Sequence, residues 1–265
     1  MKKNRILVFG SLIILTLLMS LKIQAQEEPQ TVYITLTTMH RNLDADKKEW
    51  MKAEQEFFDK VTSKNELIIE SDVLTHYFTE NSSEILHVSA YKSWEDIEKA
   101  EKITDDLIMK AWPDEKDRKA FFEKYRSFYT PMHSDEIYVS VLEPKMLENP
   151  PKDPMVVYVR KSQMASRKLS DGLKEYNDKI TFKNPFIKAY YPQRHYWGSD
   201  SRDFVEAFFF NSLADLEKSH DKEEELIKTA WPKEEDRKLF FDNFKTSFTG
   251  IHGDYIYLNV PSLAK

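Results

Sequence analysis

One stretch of this chain is written twice. Ala111-Trp112-Pro113 runs through Asp117-Arg118-Lys119 and Phe121-Phe122 to His133, Asp135, Ile137 and Tyr138. Ala230-Trp231-Pro232 runs through Asp236-Arg237-Lys238 and Phe240-Phe241 to His252, Asp254, Ile256 and Tyr257. The separation is 119 residues throughout, without a gap. An ungapped echo of that length marks an internal duplication, so both halves must reach the same architecture.

Periodicity gives the order of elements in each half. Val32 to Met39 alternates as a strand, and about Asp44 to Val61 carries Trp50, Ala53, Phe57 and Val61 at helical spacing. Val73–Thr79 and Ile85–Tyr91 read as a hairpin around Glu80-Asn81-Ser82-Ser83. Ser93 and Asp96 form a helix-capping pattern, and the helix that follows stops at Trp112-Pro113 because a residue before proline avoids helical backbone. A further helix carries Phe121, Phe122 and Tyr125, and Glu136–Leu142 closes the unit as a strand. The second half repeats this with a strand at Val156–Lys161, a helix at Leu169–Ile180, a hairpin of Tyr190–Trp197 with Phe204–Phe210, a helix capped by Ser212, and a strand at Tyr255–Val260. The reading is α+β: two βαββαβ repeats, 31–144 and 155–261, joined by a Pro- and Lys-rich linker at 145–154.

A βαββαβ unit folds as an antiparallel sheet with helices on one face. The apolar halves of the strands (Val32, Ile34, Leu36, Leu86, Val88, Ile137, Val139) are assigned to the helices. The aromatic halves (Tyr33, Tyr91, Tyr138, Tyr158, Phe208, Phe210, Tyr255, Tyr257) are assigned to a second sheet-to-sheet interface about a pseudo-two-fold axis. In this order and patterning, from Thr31 to Val260, the chain resembles the dimeric α+β barrel superfamily of ferredoxin-like proteins. That superfamily includes antibiotic-biosynthesis monooxygenases, haem-degrading monooxygenases and stress-responsive barrel proteins. The resemblance implies a small-molecule cavity between the sheets and transfers no catalytic set.

The N-terminus has the form of a secretory signal. Lys2, Lys3 and Arg5 precede an apolar run from Ile6 to Leu21, and Ala25 is the expected last residue removed, giving a leader of 1–25. The run is short for the ~20 residues that span a bilayer. A periplasmic or secreted protein without membrane attachment after cleavage is expected. The chain has no cysteine, so its core must hold it together without disulfides. The formal charge is −6 even with the four positive residues of the leader counted, which disfavours nucleic acid as a partner. Five glycines and no Gly-x-Gly-x-x-Gly, Walker loop or nucleophile elbow disfavour nucleotide folds and serine hydrolases of that kind.

Candidate site residues follow from the expected register. A two- or four-residue loop at Asn81-Ser82 sets His76 opposite His87, and the same register sets His195 opposite Glu206, with Arg160 at the position matched by Thr35. His195 oriented by Glu206 would be a general base, and Arg160 would stabilise a carboxylate or enolate. The competing reading is that the three only pair with one another inside a closed barrel. The ligand-binding candidates are His76, His87, Tyr33, Tyr138, Tyr158 and Tyr257. A metal shared by His76, His87, His195 and Glu206 is disfavoured because packed sheets lie ~10 Å apart, so neither metal nor cofactor is assigned. His133-x-Asp135 and His252-x-Asp254 read as loop-fixing pairs, and Trp112-Pro113 and Trp231-Pro232 as helix-junction packing. The leading expectation is a monomeric, exported barrel that binds a small, partly aromatic or anionic molecule. The alternatives are a cofactor-independent monooxygenase or isomerase, a haem-binding or haem-degrading protein, and a barrel filled by its own side chains.

Overall fold

The computed structural model describes residues 31–166 and 170–265, so the leader at 1–25 lies outside the described residues. The first half contributes β1 (Tyr33–Arg41), α1 (Lys47–Lys60), β2 (Glu70–Phe78), β3 (Glu84–Tyr91), α2 (Trp94–Ala111), α3 (Glu115–Ser127) and β4 (Tyr129–Ser140). The second contributes β5 (Val156–Met164), α4 (Asp171–Tyr176), β6 (Ala189–Trp197), β7 (Asp203–Phe210), α5 (Leu213–Ala230), α6 (Glu234–Lys245) and β8 (Phe248–Asn259). Helix α4 is short and continues as a π-helical turn, Asn177–Thr181. Among the described residues, no helix is long and apolar enough to cross a membrane.

The eight strands form one closed antiparallel barrel in the order β1-β3-β2-β8-β5-β7-β6-β4. The halves do not merely lie face to face. Backbone hydrogen bonds join them along two seams, β2 with β8 and β4 with β6. Closure leaves no free sheet edge along the paired lengths, which removes the usual route to edge-to-edge association.

The repeated signature is a helix-junction clasp. Trp112 stacks on Phe121 at 4.1 Å between centroids, and Arg118 donates to the Trp112 carbonyl at 2.9 Å. Trp231 stacks on Phe240 at 4.1 Å, and Arg237 donates to the Trp231 carbonyl at 2.8 Å. Each arginine thus satisfies an orphan carbonyl where proline ends the preceding helix. Ser93 and Ser212 cap α2 and α5 by accepting from the Asp96 and Asp215 amides.

Three expectations need correction. The last strands begin earlier than Glu136 and Tyr255, at Tyr129 and Phe248, because their first halves pair with only one neighbour and stay exposed, so they show no apolar alternation. His133 and His252 consequently lie within strands, 3.4 Å and 3.3 Å from Asp135 and Asp254, rather than in loops. The third concerns the faces. Ile34, Leu36, Leu86, Val88, Val157, Val159 and Val205 fill the barrel interior. Tyr33, Tyr91, Tyr158, Phe208 and Phe210 pack outward in the clusters beside the helices. The interior of an eight-stranded barrel is just wide enough to be filled by side chains, and here it takes a mostly aliphatic set with a few rings while the helices cover the rest. Only Tyr138, Tyr255 and Tyr257 keep their expected interior position.

Candidate functional site

The expected hairpin register is offset by three residues. Thr75 pairs with Ile85 and Val73 with His87, and in the second half Pro192 pairs with Glu206. An odd offset sends a side chain to the opposite face. His76 therefore lies beside Tyr257 across one seam, and His195 beside Tyr138 across the other. These two cross-seam pairs are equivalents at the 119-residue separation. The Tyr138 and His195 rings meet edge to face at 6.2 Å, and His195 Nε2 is buried without a hydrogen-bond partner.

His87, Glu206 and Arg160 are on the helix side, away from His195. Arg160 and Glu206 are opposed as expected, but Arg160 is exposed and answers to Thr37, the residue opposite His87, rather than to Thr35. Glu206 accepts from the Tyr190 hydroxyl at 2.7 Å, and burial pushes its carboxyl above the ordinary range. The Arg160–Glu206–His195 trio is not assembled. The metal quartet is split in the same way, with His76 and His195 at the seams and His87 and Glu206 outside. Tyr33 packs edge to face on Trp94 and Tyr196 outside the barrel, and Tyr158 donates to Asp254 at 2.6 Å there.

A cavity of about 640 Å³ opens at one end of the barrel. Its apolar wall is Leu36, Leu86, Val159 and Val205, and Tyr138, Tyr255 and Tyr257 supply the aromatic surface. Its polar wall holds Glu84, Glu136, Lys161 and His40, with Glu80-Asn81-Ser82 of the β2–β3 turn at the rim. Below, Leu74, Met155, Val157, Ala189 and Phe209 fill the barrel.

The polar wall is partly neutralised. Tyr138 donates to Glu136 at 2.8 Å and Ser199 Oγ donates to it at 2.6 Å. Burial opposes ionisation of Glu136, but Ser199, Lys161 and Tyr138 together hold its carboxyl below the usual range. Lys161 Nζ lies 2.7 Å from Asp203 and 3.5 Å from Glu136. Tyr257 donates to Glu84 at 2.5 Å. Burial and the adjacent carboxylates push the Tyr138 and Tyr257 hydroxyls well up, so both remain neutral donors.

Two glycines make room for this wall. Gly198 has φ +142°, and a Cβ there would sit 2.9 Å from Glu136 Cγ, so the β6–β7 turn can lie on Glu136. A Cβ on Gly253 would lie 2.5 Å from the Tyr255 hydroxyl.

Sequence reasoning missed Glu84, Glu136, Lys161 and Asp203. One signal was available: Glu84 and Asp203 are 119 residues apart, and each opens an otherwise mostly apolar strand.

A second, smaller cavity of about 210 Å³ lies between α1 and the sheet of the first half, lined by Glu54, Phe57, Ser71, His87, Tyr125 and Thr104 among others. The Tyr129 hydroxyl donates to buried Glu54 at 2.5 Å, accepts from Trp50 Nε1 at 2.9 Å and lies 3.4 Å from His87 Nε2. Burial pushes the His87 imidazole down, toward its neutral form.

No protein-family profile matches the chain, and no curated protein sequence matches it. Solved structures do. A Fusobacterium nucleatum protein provisionally designated a monooxygenase superposes with a TM-score of 0.57 at 8% identity, over 88% of this chain and 94% of its own. A similarly designated protein of Lactobacillus acidophilus superposes with a TM-score of 0.52 at 8% identity, over 86% of this chain and 94% of its own. The chain is a tandem dimeric α+β barrel. At these identities the likeness is one of fold. A chlorite dismutase variant from Candidatus Nitrospira defluvii superposes at 0.49, with 12% identity over 87% of this barrel's chain and 92% of its own.

Proposed function

We propose that this barrel is an exported protein that binds a small molecule in the open end of its lumen. The observation that carries the reading is the 640 Å³ cavity, which combines an apolar wall with a few placed polar groups. Ligand sites typically occupy about 300–1,000 Å³ and have that composition. Export rests on the signal-like leader ending at Ala25, and N-terminal sequencing of the mature protein tests it. Small-molecule binding is tested by native mass spectrometry and thermal-shift screening of the intact protein beside Val205→Trp, which fills the lumen. Ligands that stabilise the parent protein and not the filled variant support the reading. Equal retention by both variants would place the ligand elsewhere.

A second reading is a cofactor-independent monooxygenase or isomerase; two of the superposed proteins are provisionally designated monooxygenases. The observation that favours it is His87 at the wall of the 210 Å³ cleft, held by burial in the neutral form that a general base must have before it accepts a proton. Oxygen uptake or proton exchange with candidate substrates that disappears in His87→Gln, while the fold persists, would support this reading over simple binding. Turnover unchanged in His87→Gln would remove His87 as the base.

A further inference from the structure

We infer that the lumen takes an amphipathic organic cation: an amine or guanidinium group carried on a flat or branched apolar body. The inference rests on the lumen-binding reading above and adds the charge and shape of the ligand.

The charges on the polar wall do not balance. Lys161 is the one basic side chain among its lining residues apart from His40, and it is already shared between Glu136 and Asp203. His40 is held at the rim through contacts of its Nδ1 with Ser83 Oγ at 3.3 Å and Asn81 Nδ2 at 3.2 Å. Glu84 receives one hydroxyl, from Tyr257, and no basic side chain among the described residues is in ion-pair contact with it. Glu80 stands nearby at the rim without a basic partner either. The cavity therefore faces its occupant with more carboxylates than cations.

Ligand charge decides what covering this wall costs. A neutral ligand would strip water from Glu84 and leave it one donor, and an unpaired buried carboxylate is expensive. An anion would face that carboxylate directly, and could reach Lys161 only by displacing Glu136 or Asp203. Arg160, the cation expected to hold a carboxylate, lies outside the barrel. A cation meets Glu84 in place of the water it displaces, and the Tyr138, Tyr255 and Tyr257 rings present further electron-rich surface to it. The apolar wall, Leu36, Leu86, Val159 and Val205, offers nothing but apolar contact, which calls for a hydrocarbon or aromatic body.

The test holds shape constant and changes charge. Tryptamine, tryptophol and indole-3-propionate share one ring and present a cation, a neutral hydroxyl and an anion. The phenyl and naphthyl counterparts of the three vary the size. Binding to the intact mature protein is measured by calorimetry at low and high salt. The expected result is that the amine of at least one series binds roughly tenfold or more tighter than its neutral and anionic partners. Its advantage should shrink with salt and fall roughly five- to tenfold in Glu84→Gln, which preserves shape and an acceptor for Tyr257. Circular dichroism and melting of Glu84→Gln establish that it is folded, and Glu80→Gln at the rim gives a milder second reading of the same field. Equal or tighter binding of the neutral or anionic member overturns the charge assignment while leaving lumen binding standing. Failure of every amine to bind overturns the inference, and the Val205→Trp comparison then judges lumen binding separately. An amine whose affinity is unchanged in both glutamine variants also overturns it.

Discussion

The two halves of the barrel share a sequence register yet treat the space between helix and sheet differently. In the second half Tyr190 fills it, fully buried, with its hydroxyl on Glu206. At the equivalent positions the first half has Ser71 and His87, and a cleft of 210 Å³ remains. The covering helices differ to match. Helix α1 is a regular 14 residues with Glu54 turned inward, whereas α4 has six residues and a π-helical turn that places Asn177 on the Tyr190 hydroxyl. One copy thus uses this space for packing and the other leaves it hollow. The same contrast recurs at the filled end of the barrel, where Asp72 of the first half answers to Tyr191 of the second.

The largest effect expected from breaking this contrast is at Tyr190. Tyr190→Ser would hollow the second half and leave Glu206 without its closest donor. Removing a large buried ring costs about 3–5 kcal/mol, and the stranded carboxylate adds to it. Urea unfolding should show a loss of about 4 kcal/mol or more. A loss below about 2 kcal/mol would mean that the second half tolerates a cleft as readily as the first.

Asp72→Asn should come next, and its effect depends on pH. Burial raises the Asp72 carboxyl to about 7 despite hydrogen bonds from the Val73 amide and Asn259. An acid whose folded pKa is raised binds its proton more tightly in the folded state. The protein therefore loses stability as pH climbs from about 4 to about 7, and the loss stays constant above that. The shift corresponds to at most about 4 kcal/mol, lowered to the extent that water reaching the partly exposed side chain screens its charge. The asparagine variant should thus gain on the parent as pH rises from 4 to 7. Parallel stability profiles across that window would show that Asp72 ionises freely. Glu70, also raised by burial, stays in both proteins and cancels from the difference.

Tyr129→Phe probes the network specific to the first half. It removes the hydroxyl shared by Trp50 and Glu54 without opening a large void, so a cost of about 2 kcal/mol is expected from the polar atoms left behind. A change in Trp50 fluorescence should accompany it. A neutral result would show that the phenol is replaceable by water in the adjoining cleft.

The sequence carried the architecture because repetition and capping are local signals. The 119-residue echo, Ser93, Ser212 and the two Trp-Pro breaks each state a constraint in a few residues, and the barrel follows from their order. The site was less legible for two physical reasons. Which strand face a helix covers depends on how much volume each side can accept, and Tyr33 and Leu36 give no hint of that from spacing alone. Hairpin register depends on how the strands leave the turn. β2 parts from β3 after Thr75, which pairs with Ile85, so the turn is wider than a two- or four-residue loop and His76 and His87 fall on opposite faces. Tyr138 and Tyr257 keep their interior position, whereas Tyr33 and Tyr158, equally outside the hairpins, turn outward.

The smallest effect is expected at Ser71, and its sign is informative. The hydroxyl is buried at the cleft wall and has no hydrogen-bond partner. Burying an unsatisfied hydroxyl costs about 1–3 kcal/mol in full, whereas removing it with one small carbon scaffold retained costs almost no packing. Ser71→Ala should therefore stabilise the protein by up to about 1 kcal/mol, detectable as a shifted urea midpoint at constant slope. A loss instead of a gain would mean that water in the cleft already satisfies the hydroxyl, since a site that is polar and roomy enough can hold it. The first-half cleft would then be a hydrated chamber, and its difference from the tyrosine-filled second half would be one of solvent as well as of shape.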